Sequence, residues 1–306
     1  MPNLQTCGGA VAAQACAPET HASAQPVLHQ PKSRRTAGRK LTLALFILAA
    51  VALVVIVVCG ANIGPKATIA DFSAKNIAPC WEHLFGTDRM GRDMLTRTLA
   101  GLATSVLVGL LAASVSSLIA LALGTLAALG GKRADAVVTW LIDLMMGIPH
   151  IVLLILVSYA LGRGAVGVTV GVALTHWPSL ARVLRAEIVQ LREQPWLSSA
   201  RAAGATPWQV VRGHVLPAVL PQLLVGVVLM FPHAILHEAS ITFLGFGLSP
   251  DEPAVGVILS ESMQYLSAGY WWLAALPGAA LLVVVLAFAC LGSLARALAS
   301  ARSSQR

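Results

Sequence analysis

The chain has 306 residues, of which 57% are hydrophobic and only 11% are charged, and its formal net charge is +8. Soluble domains carry about 25% charged residues, so this composition excludes an ordinary soluble protein and indicates an integral membrane protein. The five cysteines, at positions 7, 16, 59, 80 and 290, have no CxxC or metal-type spacing. Neither a disulfide framework nor a zinc-cysteine site is therefore predicted.

The N-terminal 39 residues differ from the rest of the chain. Residues 1–31 are rich in Ala, Gln, Pro and Ser and have no apolar periodicity, and a basic cluster follows at 32–40. We therefore predict a disordered cytoplasmic tail over 1–39. The uncharged run from Leu41 to about Ile63 is too long for a signal-peptide core, so we expect it to be retained as a first membrane span.

Six apolar windows are long enough to cross a bilayer, where about 20 residues are needed. They lie near 41–62, 104–129, 138–161, 164–181, 218–246 and 271–294, and the fourth is short and Gly-rich. The sequence thus predicts an all-α, polytopic fold of six transmembrane helices over 40–295, with a C-terminal tail at 296–306.

The distribution of basic residues orients these spans. If the N-terminus is cytoplasmic, 15 of the 21 Lys and Arg residues lie in inner segments. The six outer ones are Lys66, Lys75, Arg89, Arg92, Arg97 and Arg163. This bias follows the positive-inside rule and predicts that both termini are cytoplasmic. It also explains the net charge without a nucleic-acid partner.

The longest predicted cytoplasmic loop, 182–217, contains two helix signals in succession. Pro195 suits a first helical turn and Gly204 suits a helix stop. Thr206, Pro207 and Gln209 then form a capping box with a first-turn proline, so a second short helix is predicted from about Pro207 to Leu216, where Pro217 follows. Two short helices joined at a glycine would form a knob suited to docking on another protein.

Ionisable residues inside spans are candidates for function because they are expensive to bury in lipid. They are Asp143, His150, His176, His233, His237 and Glu238. His233 and His237 form an i, i+4 pair that could share a cation, although packing or pore lining is the commoner use of such a pair. Gly147-Ile148-Pro149 and Pro232 are predicted to interrupt their spans, either lining a pathway or forming ordinary proline kinks.

No Walker A motif is present, because the residue six positions before the Lys of the Gly131-Lys132 pair is Leu126 instead of Gly. We therefore expect this chain to bind no ATP by that motif and no cofactor of its own. Energy would have to come from a partner.

Several stretches together resemble one family. The coupling loop of ABC-importer permeases is similar to "SSARAAGATPWQVVRGHVLP" here. The GTDxxGRD signature of the peptide- and nickel-type members is similar to "HLFGTDRMGRDMLTR". The fifth and last spans of those members are similar to "HEASITFLGFGLSP" and "WWLAALPGAALLVVVLAF". The resemblance covers about residues 40–295. Two departures are the absent acidic residue of the coupling loop, where Ser198-Ser199-Ala200 stands, and a C-terminal end without the family's acidic residues.

The resemblance implies a role for particular residues. Those expected to contact an ATPase are Ser198, Ser199, Ala200, Arg201, Gly204, Ala205, Leu216 and Pro217. The outer-loop signature residues are Gly86, Thr87, Asp88, Gly91, Arg92 and Asp93, for which we expect a contact with a binding protein or the partner permease. By their spacing, Asp88 with Arg92 and Arg89 with Asp93 would be exposed i, i+4 pairs if that stretch is helical. Asp143 and Glu238 match acidic positions of the family and favour a structural or gating role, and His150, His233 and His237 complete the candidate pathway.

The resemblance also implies an assembly in the bacterial inner membrane. The chain would pair with a homologous second permease, two cytoplasmic ATPases that use ATP and Mg²⁺, and an extracytoplasmic solute-binding protein. The cargo is expected to be nickel, a metal chelate or a di- or oligopeptide, with His233 and His237 favouring the metal. Two rivals are a membrane-embedded metalloenzyme using the His/Glu cluster and a secondary transporter, although the two halves show no defensible inverted repeat.

Overall fold

The computed structural model describes residues 34–64 and 67–303. The chain divides into two units, Met1–Arg39 and Lys40–Arg306. Within the first unit only residues 34–39 are described, and they are helical, so the tail predicted at 1–39 otherwise lies outside the described residues. The fold that positions the candidate site is that of the second unit.

The regular structure of the described residues is helical, which confirms the predicted all-α class. The helices are α1 (Arg34–Ile63), α2 (Met94–Leu129), α3 (Gly131–Gly147), α4 (His150–Ala160), α5 (Gly164–Arg192), α6 (Pro195–Ala202), α7 (Pro207–Val210), α8 (Leu216–Phe243), α9 (Val255–Leu266) and α10 (Trp272–Ser303). A 3₁₀ turn at Phe72–Ala74 and a π-helical segment at Val211–Val215 complete the set.

Four stretches of these helices are long and apolar enough to cross a membrane: Phe46–Ile63, Met94–Leu129, Pro207–Phe243 and Trp272–Arg296. The pair α3 and α4, bent by 96° at its break, gives a fifth if it counts as one span. Helix α5, which contains the predicted fourth span, is not among them, because its N-terminal half is rich in Gly and its middle carries His176 and Pro178. The predicted count of six spans is therefore not confirmed.

The structure confirms one of the helix breaks predicted from the sequence and departs from other predicted helix boundaries. The break predicted at Gly147-Ile148-Pro149 is confirmed, with Ile148 extended (φ −90°, ψ 136°) as expected for a residue before proline. At Pro232 the span is not broken, because α8 continues through this residue and buries it; of the two alternatives, only the proline kink is left. Helix α9 was not predicted at all, and α10 continues beyond the predicted boundary at 295.

Helix α2 lies at the centre of the unit and packs against α3, α5, α8, α9 and α10. Its N-terminus is capped by Asp93, whose carboxylate accepts the Thr96 N–H at 2.8 Å. The buried face of α2 consists largely of Ala, Gly and Ser, so neighbouring helices approach its backbone closely. A Cβ added at Gly124 would lie 2.9 Å from the Ala181 carbonyl oxygen on α5, and one at Gly109 would lie 3.1 Å from Phe231 on α8.

This close approach predicts that Gly124→Val destabilises the fold. The added side chain would push α2 away from α5, and such overpacking costs typically about 1–3 kcal/mol. We expect a lower unfolding midpoint in detergent for Gly124→Val than for the wild type. Gly147→Val is the matched control, because no atom lies within 4 Å of a Cβ built there. Equal midpoints for the two variants would contradict the tight α2–α5 contact.

Candidate functional site

A cavity of about 1030 Å³ opens beside the α3–α4 break. It is lined by the end of α3 and the start of α4, by the middle of α5, by one face of α8 and by Arg296 of α10. Three of the five predicted pathway residues, His150, His233 and His237, line it. The broken span therefore lies at a cavity, as expected where the backbone leaves the helix within an apolar protein.

The other two predicted pathway residues do not line this cavity. Asp143 is exposed and accepts a hydrogen bond from Arg182 at 3.0 Å. Glu238 is fully buried, and its Oε1 accepts the Thr242 hydroxyl at 3.0 Å. Because the same hydroxyl accepts the Leu248 N–H at 3.2 Å, Glu238 fixes the end of α8 to the turn that follows.

The imidazoles of His150, His176 and His237 form a cluster on the cavity wall, which we call the histidine cluster. Their ring centroids are 4.5, 4.7 and 5.0 Å apart, and the rings are nearly perpendicular to one another, at 72–85°. The three side chains come from α4, α5 and α8. Three helices thus contribute to the cluster, and His233, one turn before His237, is not among the three residues whose ring nitrogens lie within 4.8 Å of one another.

The signature residues between α1 and α2 form a buried ionic network instead of exposed helical pairs. Asp88 is 5% exposed, and its carboxylate accepts Arg92 Nε at 2.7 Å and Arg97 Nη1 at 2.9 Å. Both guanidinium groups also reach Glu261 on α9, at 3.2 and 3.0 Å. The network therefore joins the signature turn and the start of α2 to α9. Sequence reasoning missed Arg97 and Glu261 because nothing local to either residue indicates the contact.

The backbone of the signature turn requires its two glycines. Gly86 and Gly91 have φ of +71° and +72°. A Cβ at Gly91 would lie 1.6 Å from the Asp71 carbonyl oxygen. The Thr87 hydroxyl donates to the Ala74 carbonyl and accepts the Ile77 N–H at 2.8 Å, so this side chain also acts within the turn.

The helix on which an Arg89–Asp93 pair would depend is not formed, because this stretch is a turn closed by an antiparallel bridge between Thr87 and Asp93. Asp93 instead caps α2 and contacts His83 Nδ1 at 3.0 Å. Burial raises the pKa of Asp93, but the hydrogen bonds from Thr96 and His83 outweigh it, so the pKa lies below its usual value. The carboxylate therefore stays ionised at neutral pH.

The helix stop and start predicted in the long loop are confirmed. Gly204 has φ +86°, and the Ala205 N–H donates to the Ala200 carbonyl at 3.2 Å, as in a Schellman ending. Both hydrogen bonds of the Thr206–Gln209 capping box are present. The predicted end at Pro217 is wrong: the π-helical segment joins α7 to α8, so the helical run continues through Pro217.

We call residues 195–217 the α6–α7 segment. It is anchored by three fully or almost fully buried side chains, Leu197, Val210 and Val215. Of the predicted contact residues, Ser198, Ser199, Gly204, Leu216 and Pro217 are exposed, Ala200 and Ala205 are half-buried, and the side chain of Arg201 lies outside the described part of the structure. Trp208 is 68% exposed and Trp196 is 44% exposed. Sequence reasoning missed these tryptophans, although two Trp in a short polar loop are themselves a signal of an interface.

Comparison with known proteins identifies the class. The sequence profile described as "Binding-protein-dependent transport system inner membrane component" matches residues 120–302. The dipeptide transport system permease protein DppC of Bacillus subtilis (strain 168) is 30% identical over 85% of this chain and 81% of its own length. A protein of Brucella suis biovar 1 (strain 1330), named as a peptide permease, is 37% identical over 72% of this chain and 74% of its own length.

The chain belongs to the family of binding-protein-dependent transport system inner membrane components, the permeases of ABC importers. The predicted family is thus confirmed, and members of it are pore subunits and not enzymes. Among solved structures, the fold is similar to a chain of the MetNI methionine ABC transporter in an inward-facing conformation, with a TM-score of 0.54 and 22% identity over 67% of this chain and 97% of that chain. An amino acid ABC transporter chain has a TM-score of 0.50 and 20% identity over 65% of this chain and 92% of that chain.

The ionic network predicts a large effect for one neutral substitution. Asp88→Asn keeps the shape of the side chain but leaves the buried Arg97 and the largely buried Arg92 with Glu261 as their remaining carboxylate. Breaking a buried pair in this way costs on the order of 3 kcal/mol. We expect a clearly lower unfolding midpoint in detergent. The neighbouring Arg89→Gln removes an exposed charge outside the network and should change the midpoint little. Equally small shifts of the unfolding midpoint in Asp88→Asn and Arg89→Gln would contradict a structural role of the signature residues.

Proposed function

We propose that this chain is one of two transmembrane subunits of an ATP-driven importer that carries di- or oligopeptides into the cytoplasm. The relatives reported above are named for peptides or a dipeptide, and this favours a peptide over the nickel or metal-chelate cargo expected from sequence. The partners we propose are a homologous permease, two cytoplasmic ATPases and an extracytoplasmic solute-binding protein. The protein lies in the bacterial inner membrane with both termini in the cytoplasm.

The observation that carries the proposal is the shape of the α6–α7 segment. Two short helices meet at a left-handed glycine, and the segment is fixed to the core by buried aliphatic side chains while two tryptophans point outward. Large exposed aromatic side chains are typical of interface anchors. A rigid projection of this kind suits a groove on an ATPase subunit, and the chain itself has no Walker A motif.

The helices that enter and leave the α6–α7 segment provide a route for coupling. Helix α5 ends at Arg192, just before the segment, and the run Pro207–Phe243 leaves it as one apolar stretch. Both α5 and α8 line the cavity. A displacement of the segment by the ATPases would therefore move two walls of the cavity together, as alternating access requires.

The two rivals are less well supported. A metalloenzyme using His233, His237 and Glu238 would need the three side chains to share one site. Glu238, however, is fully buried and does not line the cavity that both histidines line. A secondary transporter would leave the exposed α6–α7 segment and the family relationship without explanation.

The coupling role predicts the effect of changing the backbone at Gly204. A β-branched residue is strained at φ +86°, whereas Asn tolerates the left-handed region, and a Cβ meets no atom within 4 Å in either case. We expect Gly204→Val to reduce both co-purification of the ATPases and peptide uptake by about tenfold, since a strain of 1–2 kcal/mol falls on this turn. Gly204→Asn should retain most of both.

The same experiment separates coupling from folding. Insertion into the membrane and pairing with the second permease should be unchanged in Gly204→Val, because the altered turn is exposed and outside the helix core. Full ATPase binding and full uptake by the Val variant would refute the proposed coupling element. A peptide-dependent uptake that requires no ATPase would refute the importer assignment itself.

The proposed orientation is tested by reporter fusions. The distribution of Lys and Arg predicts that tags at residue 20 and after Arg306 report a cytoplasmic location, and that a tag near Pro250 reports an external one. A cytoplasmic signal near Pro250 would overturn the orientation. It would also place the turn that follows α8 on the same side as the α6–α7 segment.

A further inference from the structure

We propose that the histidine cluster of His150, His176 and His237 binds one divalent transition-metal ion, with an open coordination position facing the cavity. Each residue offers one ring nitrogen, and these three nitrogens lie within 4.8 Å of one another. The site is built entirely from this chain. It therefore stands independently of the cargo and of the coupling role proposed above.

The spacing of the nitrogens is close to that of a filled site. A tetrahedral zinc ion holds nitrogen ligands at about 2.0–2.1 Å, which places them roughly 3.4 Å apart. An inward movement of each ring by less than about 1 Å brings the three nitrogens to that spacing. Small side-chain rotations are enough for such a shift, so the three helices need not be rearranged.

Hydrogen bonds to the backbone orient two of the rings for ligation. His176 Nδ1 is 2.9 Å from the Val172 carbonyl oxygen, and His237 Nδ1 is 2.7 Å from the His233 carbonyl oxygen. A carbonyl oxygen only accepts, so these two contacts are hydrogen bonds in the tautomer that carries the proton on Nδ1 and leaves Nε2 with a free lone pair. The Thr175 hydroxyl, 3.1 Å from His176 Nδ1, then donates to the Val172 carbonyl at 3.2 Å. Backbone carbonyls hold metal-binding histidines in this way, fixing the tautomer and the ring orientation.

Two ring nitrogens of the cluster lack hydrogen-bond partners among the described residues. The Nε2 atoms of His150 and His176 are buried and accept or donate no hydrogen bond among the described residues. Leaving a buried polar atom unpaired costs about 1–3 kcal/mol, so two such atoms in one cluster call for a ligand. A metal ion shared by the three rings would satisfy both atoms at once.

The chemistry of the site selects the class of ion. No Asp, Glu or Cys is among the described residues that line the cavity. Neutral imidazoles without carboxylates suit Zn²⁺, Co²⁺, Ni²⁺ or Cu²⁺ and do not suit Mg²⁺ or Ca²⁺, which prefer oxygen. Three neutral ligands leave the charge of the ion uncompensated, and Arg296 adds a further positive charge to the cavity lining. The open position therefore favours an anionic donor from the cavity, such as a carboxylate.

The experiment uses the purified full-length chain without a polyhistidine tag, titrated with Zn²⁺ by calorimetry and with Co²⁺ by visible absorption. We expect one high-affinity ion per chain and a tetrahedral or five-coordinate Co²⁺ spectrum. Changing any of the three histidines to Asn should weaken this binding by at least about tenfold. Loss of a direct ligand should cost no less than loss of a residue that hydrogen-bonds to a ligand, which typically costs tenfold or more. Mg²⁺ should not compete.

His233→Asn is the matched control. It lies one turn before His237 on the same helix and lines the same cavity, yet it is outside the cluster, and its carbonyl contact with His237 survives the change. Binding should therefore persist in this variant. The unfolding temperature measured without metal shows whether each variant is folded. Its rise on adding Zn²⁺ gives a second measurement of binding. Absence of a high-affinity ion in the wild type, or equal loss in His233→Asn, would overturn the proposal and leave the cluster as ring packing only.

Discussion

The close packing of α2 against its neighbours is the constraint on which the rest of the structure depends. Lipid gives helices no hydrophobic reason to associate, so their contacts depend on close backbone approach and on polar groups paired within the protein. The Gly, Ala and Ser face of α2 permits that approach to α5 and α8. These are two of the elements that line the cavity. The small residues of α2 thus position two of the three helices that carry the histidine cluster.

Features encoded by neighbouring residues were predictable from the sequence. Gly204 and the Thr206–Gln209 capping box are local signals with one conformational meaning, and the structure contains both as expected. The break at Pro149 belongs to the same kind, because proline restricts the residue before it. Pro232 shows the limit of such reasoning. Packing on neighbouring helices holds α8 together at a residue that would end a helix in isolation.

Features that depend on distant parts of the chain were not predictable. Glu261 meets Arg92 and Arg97 from a helix that the sequence pattern did not reveal, since the twelve residues of α9 follow a Gly- and Pro-rich turn and are too short to span a membrane. The histidine cluster is a second example of a contact between distant parts of the chain. Spacing along one helix suggested His233 with His237, whereas the packing of three helices selects His150 and His176 as the neighbours of His237.

The π-helical segment at Val211–Val215 has a consequence for how the chain tolerates insertions. A π turn accommodates one residue more than an α turn, and each residue advances a helix by about 100°. Trp208 lies before the segment and the cavity-lining face of α8 lies after it. The direction of Trp208 about the helix axis, relative to that face, therefore depends on the single extra residue. Deleting one residue there would keep the helix and its hydrophobicity but rotate the exposed tryptophan by about a quarter of a circle. Chain length at this point therefore determines the direction of Trp208, in addition to the buried Val215 that anchors the segment.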